Sequence, residues 1–233
     1  MYVRFVKRWI DIVLSLAGIV VLAIPIVVIG IMIKLDSPGP VFFRQKRVGR
    51  HKTRFYILKF RSMSTNAPAD MPTHRLENPE VYLTSWQSVM RRISMDELPQ
   101  FFNILRGSMT VVGLRPALWN QYDLIGERDK YGVNEVTPGL TGWAQINGRD
   151  EWKRKEKVRF DGEYVANIGF QMDCKCFFGT IGSVLRRDGV VEGGTGAIAG
   201  KGGEKHAGRG WAWLCWLTDC RCICPEGGTG HLV

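Results

Sequence analysis

Between Ile10 and Ile33 the chain reads IDIVLSLAGIVVLAIPIVVIGIMI, an apolar run interrupted by one charge, Asp11, and one proline, Pro25. A run of this length covers the roughly 20 residues that a transmembrane helix needs. It exceeds the roughly 7–15 residues of a signal-peptide core and has no small-residue cleavage site behind it, so the N-terminus is expected to be retained. The flanks constrain the topology further. Arg4, Lys7 and Arg8 precede the run, and Lys34, Arg44, Lys46, Arg47, Arg50, Lys52 and Arg54 follow it. A spanning helix carries such an excess on its cytoplasmic side only. Pro25 removes a backbone donor and crowds the turn before it. A helix from Ile10 to Ile24 would reach only ~22 Å into a hydrocarbon core ~30 Å thick. The expected form is therefore a helix-break-helix hairpin that dips into the membrane and returns, its break covered or shallow because non-helical backbone at depth is costly. A one-pass anchor with a proline kink is the alternative.

The rest of the chain is that of a globular protein. Of 233 residues, 45% are hydrophobic and 23% charged, enough to bury a core and too apolar for wholesale disorder or a small disulfide scaffold. A mean hydropathy of −0.08 excludes a polytopic membrane protein. Lys plus Arg number 32 against 22 Asp plus Glu, a net +10, which suggests an anionic partner: nucleic acid, a lipid surface or a phosphorylated substrate. Three segments are expected: a membrane segment (1–35), a main domain (36–190), and a Gly-, Cys- and Trp-rich tail (191–233). In the tail, Cys215, Cys220, Cys222 and Cys224 lack the paired C-x-x-C spacing of zinc sites, so no role is assigned to it.

Within the main domain, Val41–Gln45 and Arg54–Phe60 read as strands of a hairpin joined by the basic loop KRVGRHKT. Ser62 to Pro79 reads as an irregular loop. Leu83, Trp86, Val89, Met90 and Ile93 recur at helical spacing. Further helices are expected over about Glu97–Leu105, Ala117–Tyr131, Trp152–Val165 and Phe170–Arg187, with a glycine-rich loop over Pro138–Arg149. The fold class is α/β, mostly α.

RRISMDELPQFFNILRG (Arg91–Gly107) carries the most chemistry. Asp96 and Glu97 are adjacent carboxylates at a helix start. Ser94 and Glu97 have the spacing of a capping box. Pro99 argues for Asp96 as N-cap instead, since that puts the proline where no N–H is needed. In either register the helix end favours negative charge and keeps a carboxylate ionised, and it can also hold a phosphate. An ionised Asp can attack phosphorus if cations screen the repulsion. Taken alone, the pair reads as an ordinary helix cap. Lys59 and Arg61 stand on alternate residues at the end of the second strand, and Arg115 and Arg149 stand beside Pro and Gly turns, all candidates to screen or grip phosphate. Asp161 lies mid-helix, where Asp is a poor helix former. Phosphate-binding glycine loops, HExxH and GxSxG are absent from the sequence, and no nucleic-acid-binding motif accompanies the positive charge.

Several ordered motifs, KRWID, SPGPVFFRQKRVG, FYILKFRSM, SMDELPQFFNILRGSM, VGLRP, VTPGLTGWAQINGR and FDGEYV, together resemble the monotopic polyprenyl-phosphate phosphoglycosyl transferases, from about Lys7 to Gly189. The resemblance implies a re-entrant membrane helix and a small α/β cytoplasmic domain with interfacial amphipathic helices, at the bacterial inner membrane. It implies transfer of a sugar-1-phosphate from a UDP-sugar to polyprenyl (undecaprenyl) phosphate with release of UMP. Asp96 matches the family's covalent nucleophile and Glu97 the second member of its dyad, which the resemblance implies helps with metal or proton handling; Mg²⁺ is the expected cofactor, with Asp96 and Glu97 as its expected ligands. Lys59, Arg115 and Asp161 match positions implicated in substrate or phosphate binding. Expected partners are the two substrates and inner-membrane lipids, with no nucleic acid and a homodimer left open. Two other functions compatible with the sequence are a membrane-tethered basic binding module and a non-catalytic scaffold of the same fold.

Overall fold

The computed structural model describes residues 1–67, 79–147 and 154–186. Arg149 and the whole 191–233 tail lie outside them. The architecture is mostly helical, with two small two-stranded sheets.

A π-helical turn over Tyr2–Val6 leads into α1 (Lys7–Val21), and α2 (Ala23–Asp36) follows after a bend of 61°. The bend sits at Leu22, whose φ of −96° and ψ of 11° leave the helical region, and not at Ile24-Pro25 as expected. Pro25 is the third residue of α2, where the missing N–H breaks no bond. Its ring excludes the carbonyl four residues back, so the chain turns before the proline. Among the described residues no single helix is long and apolar enough to cross a membrane.

The first half of α1 is held by protein. Lys7, Asp11 and Ser15, at i, i+4 and i+8, form a buried polar stripe. Asp11 accepts from Thr110 Oγ1 (2.7 Å) and from the Val111 N–H (2.8 Å). Lys7 pairs with Asp173. Asp173 also accepts from Tyr2 (2.6 Å) and Tyr164 (2.7 Å). Arg8 donates to the carbonyls of Ile104 and Leu105 (2.6 and 2.7 Å), closing the C-terminal end of a helix whose last orphan acceptors need partners. Beyond the stripe, Leu16, Val20, Val21, Ile24, Val27 and Ile31 are exposed.

β1 (Phe42–Val48) and β2 (Arg54–Phe60) form an antiparallel hairpin. β1 runs three residues past the expected Gln45, which brings Arg47 out of the loop and onto the strand. α3 (Ser85–Arg92) and α4 (Gln100–Arg106) follow. β3 (Thr110–Val112) pairs in parallel with β4 (Gly139–Thr141), and α5 (Tyr122–Asp129) lies in the connection that parallel strands require. α5 is shorter than expected because residues 117–118 are pinned to the hairpin instead. The Val48 N–H donates to the Ala117 carbonyl (3.0 Å), and Arg47 bridges to Leu118. α6 (Trp143–Ile146), α7 (Arg154–Ala166) and α8 (Phe170–Arg186) complete the order.

The expected glycine-rich loop is thus a strand and a short helix. Its glycines serve close backbone approach rather than freedom: a Cβ on Gly139 would lie 2.2 Å from the Gly113 nitrogen. The main core gathers Ile57, Ile104, Met109, Val111, Val112 and Tyr164. A second cluster, Ile29, Ile33, Phe60 and Met90, joins α2 to the hairpin and α3.

Candidate active site

The Asp96–Glu97 dyad lies on a one-turn 3₁₀ segment, Met95–Glu97, entered through Ser94 in the left-handed region (φ 59°). Neither capping register expected from the sequence holds, because Pro99 itself precedes the first residue of α4. With no N–H on Pro99 and its ring set against the turn before it, the chain closes short i→i+3 bonds instead, such as Leu98 N–H to Met95 O at 3.3 Å. Ser94 makes no side-chain cap, and Glu97 is used elsewhere.

Glu97 Oε1 receives both Lys59 Nζ (2.7 Å) and Arg115 Nη2 (2.9 Å). Lys59 Nζ also stands 3.7 Å from Asp96 Oδ2. Asn103 on α4 fixes the distance between Lys59 and the dyad. Its Oδ1 accepts from the Leu58 N–H (2.9 Å) and its Nδ2 donates to the Tyr56 carbonyl (2.8 Å), which ties β2 to the helix that follows the dyad. Both carboxyl-bearing residues are 8% exposed. Burial pushes Asp96 above the ordinary carboxylate range, with Glu97 adding to it; Lys59, Arg91 and Arg115 pull the other way without prevailing. The expectation that a helix end would hold this carboxylate ionised is therefore corrected: desolvation dominates.

Arg115 follows β3, and its backbone is gripped from behind. Arg128 donates from Nη2 to the Arg115 carbonyl (3.0 Å) and from Nη2 and Nε to Asp161 Oδ2 (2.7 and 3.1 Å). Asp161, mid-helix on α7, is 2% exposed. Through Arg128 it supports Arg115 rather than joining the dyad. Arg61 is also set apart. It donates to the carbonyls of Pro38 (2.8 Å), Ser37 (2.7 Å) and Ile33 (3.4 Å) and to the Ser37 hydroxyl (2.8 Å), pinning the end of α2 and the turn that follows. Gly39 at φ 125° makes room for it, since a Cβ there would sit 2.1 Å from Arg61 Nη1. Arg149 lies outside the described residues.

Beside the dyad opens a pocket lined by Arg47, Lys59, Glu97, Gln100, Arg115 and Leu140 among others. Arg47 was not singled out from the sequence. Period-2 reading of a longer β1 could have found it, because Gln45 and Arg47 share the hairpin face that carries Lys59. No group of three or more His, Cys, Asp or Glu side chains gathers to hold a metal among the described residues. The dyad is a two-carboxylate site.

A model of the bacterial sugar transferase family matches residues 2–187. The chain is 38% identical over 161 residues to an uncharacterized sugar transferase EpsL of Bacillus subtilis, covering 69% of this chain and 78% of the relative. It is 39% identical over 186 residues to the UDP-glucose:undecaprenyl-phosphate glucose-1-phosphate transferase of Escherichia coli, covering 76% of this chain but only 40% of that protein. It is 33% identical over 186 residues to an N-acetylgalactosaminephosphotransferase of Aeromonas hydrophila that uses undecaprenyl phosphate, covering 78% and 44%. The match runs from the bent apolar helix pair through the dyad to α8, and the chain belongs to the bacterial sugar transferase family.

Proposed function

We propose that this protein transfers a sugar-1-phosphate from a UDP-sugar to undecaprenyl phosphate, through a covalent intermediate on Asp96, in glycan assembly at the cytoplasmic face of a bacterial inner membrane. The observation that carries this is the state of Asp96: a buried carboxylate raised by desolvation, 3.7 Å from a lysine and with no hydrogen-bond donor found for it among the described residues. A carboxylate whose oxygens are not taken up by donors is free to act as a nucleophile toward phosphorus once cations screen the substrate. Relatives named for transfer to undecaprenyl phosphate support the substrates.

In the first step an Asp96 oxygen attacks the sugar-linked phosphorus. The bond to the bridging oxygen breaks, and UMP leaves with that electron pair. In the second step a phosphate oxygen of the lipid attacks the same phosphorus, the Asp96–phosphorus bond breaks, and the carboxylate is regenerated. Lys59 and Arg115 stay fixed by Glu97 and so screen the anions without reorganising. Two carboxylates suit Mg²⁺, which takes one or two from protein and completes its shell with phosphate oxygens and water. Asp96 and Glu97 would hold it, and bound there it neutralises phosphate charge.

A re-entrant hairpin suits such a reaction, since one shallow site must meet a soluble donor and a lipid phosphate. Three observations support it: the bend at Leu22, cations on both flanks, and a first half of α1 whose polar stripe is buried in the domain. Protein in detergent given Mg²⁺, a UDP-sugar panel and undecaprenyl phosphate is expected to release UMP and to carry a phosphosugar on Asp96. Asp96→Asn is expected to do neither. Full activity in that variant would end the assignment. Cysteine labels placed before Arg4 and after Lys34 are expected to react from one side of sealed vesicles; opposite-side access would restore a one-pass anchor.

A further inference from the structure

Arg47 is a cation with no carboxylate bonded to it among the described residues. Of its five N–H donors, Nε and Nη2 give hydrogen bonds to Gln45 Oε1 (3.1 and 2.5 Å), and Nη1 gives one to the Pro116 carbonyl (2.9 Å). Two donors remain, on a group that lines the dyad pocket. Burial, with Arg115 and Arg128 alongside, pushes the guanidinium down to about 9, and Glu97 is the one neighbour acting the other way. The pocket therefore gathers Arg47, Lys59 and Arg115 around Glu97, an excess of positive charge. Arg47 is not needed as a tie between β1 and the 115–118 segment, because the backbone bond from Val48 to Ala117 already makes that connection. A neutral donor could serve the Pro116 carbonyl without the cost of a desolvated charge.

The hairpin register orders the pocket. Lys59 stands 3.7 Å from Asp96 Oδ2 and pairs across the hairpin with Phe43, whereas Arg47 lies four residues further along β1 on the same face. Both line the pocket, so Lys59 marks the end near Asp96 and Arg47 the far end. In phosphoryl transfer the attacking and leaving oxygens lie roughly in line across phosphorus. A phosphorus within reach of Asp96 thus directs its leaving group toward the far end. We infer that Arg47, oriented by Gln45, binds the phosphate of the departing nucleoside monophosphate, forming a nucleotide-side anion subsite distinct from the dyad. This rests on the phosphosugar-transfer reading above.

UMP binding at equilibrium tests it without requiring any chemistry. In Arg47→Gln, UMP affinity is expected to fall about 10- to 100-fold, the effect of losing a pair of charge-assisted hydrogen bonds. Arg47→Lys keeps the charge but loses the fork, so it is expected to fall between Arg47→Gln and wild type. It also carries the test should the glutamine variant not fold. In rapid-mixing experiments, formation of the Asp96 adduct is expected to slow, while discharge of preformed adduct to undecaprenyl phosphate proceeds at the wild-type rate, since UMP has left by then. UMP affinity unchanged in both variants, or discharge slowed as much as formation, would overturn the subsite. Failure of the underlying reading shows separately, as UMP release that survives Asp96→Asn.

Discussion

The molecule buries two groups of carboxylates and completes them differently. On the α1 side, both oxygens of Asp11 and both of Asp173 accept hydrogen bonds, from Thr110, Val111, Tyr164, Tyr2 and Lys7. At the dyad, Glu97 is held by two cations, but Asp96 has one lysine at 3.7 Å and no donor found for it among the described residues. Both sets are buried, yet among the described residues only the first has a donor on every oxygen. A satisfied buried carboxylate locks elements together, here α1 to β3 and α8. One held only by a lysine at 3.7 Å keeps its oxygens available to a substrate.

The largest test of that contrast is Asp96→Asn. Turnover is expected to fall by about 10⁴-fold or more, as when a nucleophile is removed, while the thermal midpoint at neutral pH holds or rises. Melting temperature and UMP release on the same sample check this; a clear loss of stability would make the dyad another anchor and break the comparison. Asp173→Ala is expected to do the reverse. It strands Lys7 and costs about 3–5 kcal/mol, as removing one partner of a buried ion pair does. Denaturant titration measures this, with adduct formed per folded molecule expected to be unchanged.

The pH dependence sharpens the same point. Asp96 must be ionised to attack, and its folded-state pKa lies above its unfolded value, so kcat/KM is expected to fall as pH drops through that raised value, about tenfold per unit once below it. Stability moves oppositely. The folded state holds the Asp96 proton more tightly than the unfolded chain, so this contribution is present at low pH and lost as pH rises through the folded pKa. The melting difference between Asp96→Asn and wild type is therefore expected to narrow on acidification. Asp161→Asn weakens the grip on Arg128, and through it on the Arg115 carbonyl. It is expected to raise the KM for UDP-sugar by about tenfold, the effect of one weakened contact to charge, with kcat less affected. The smallest effect is expected at the hairpin tip, where Lys52 and Asp129 pair at 2.7 Å with both side chains exposed. A double-mutant cycle there is expected to give about 0.2–1 kcal/mol.

Much of this was legible in the chain. Asp96, Glu97, Lys59 and Arg115 were named from their neighbours in sequence, and the structure brings their side chains together. Helix spans over Phe170–Arg186 and the second strand followed from periodicity. The misreadings share a cause. Arg61 sits two residues beyond Lys59 and resembles it in sequence, but which acceptors surround it depends on where α2 ends, a long-range fact. Arg47 was read as part of a loop because alternation fades where β1 passes through QKRV. Arg128 and Asn103, which position Arg115 and Lys59, carry no local signature, since each acts on backbone far away in the chain.

Local chemistry alone settled that the chain begins with an apolar segment bent near a proline, that a strand hairpin follows, and that two acids stand beside a helix-breaking proline. Those follow from hydropathy, period and the missing N–H, all properties of neighbouring residues. Whether each acid is charged, held or left wanting was decided only by packing. Desolvation and hydrogen-bond supply belong to atoms brought together from distant parts of the chain, which no window of sequence contains.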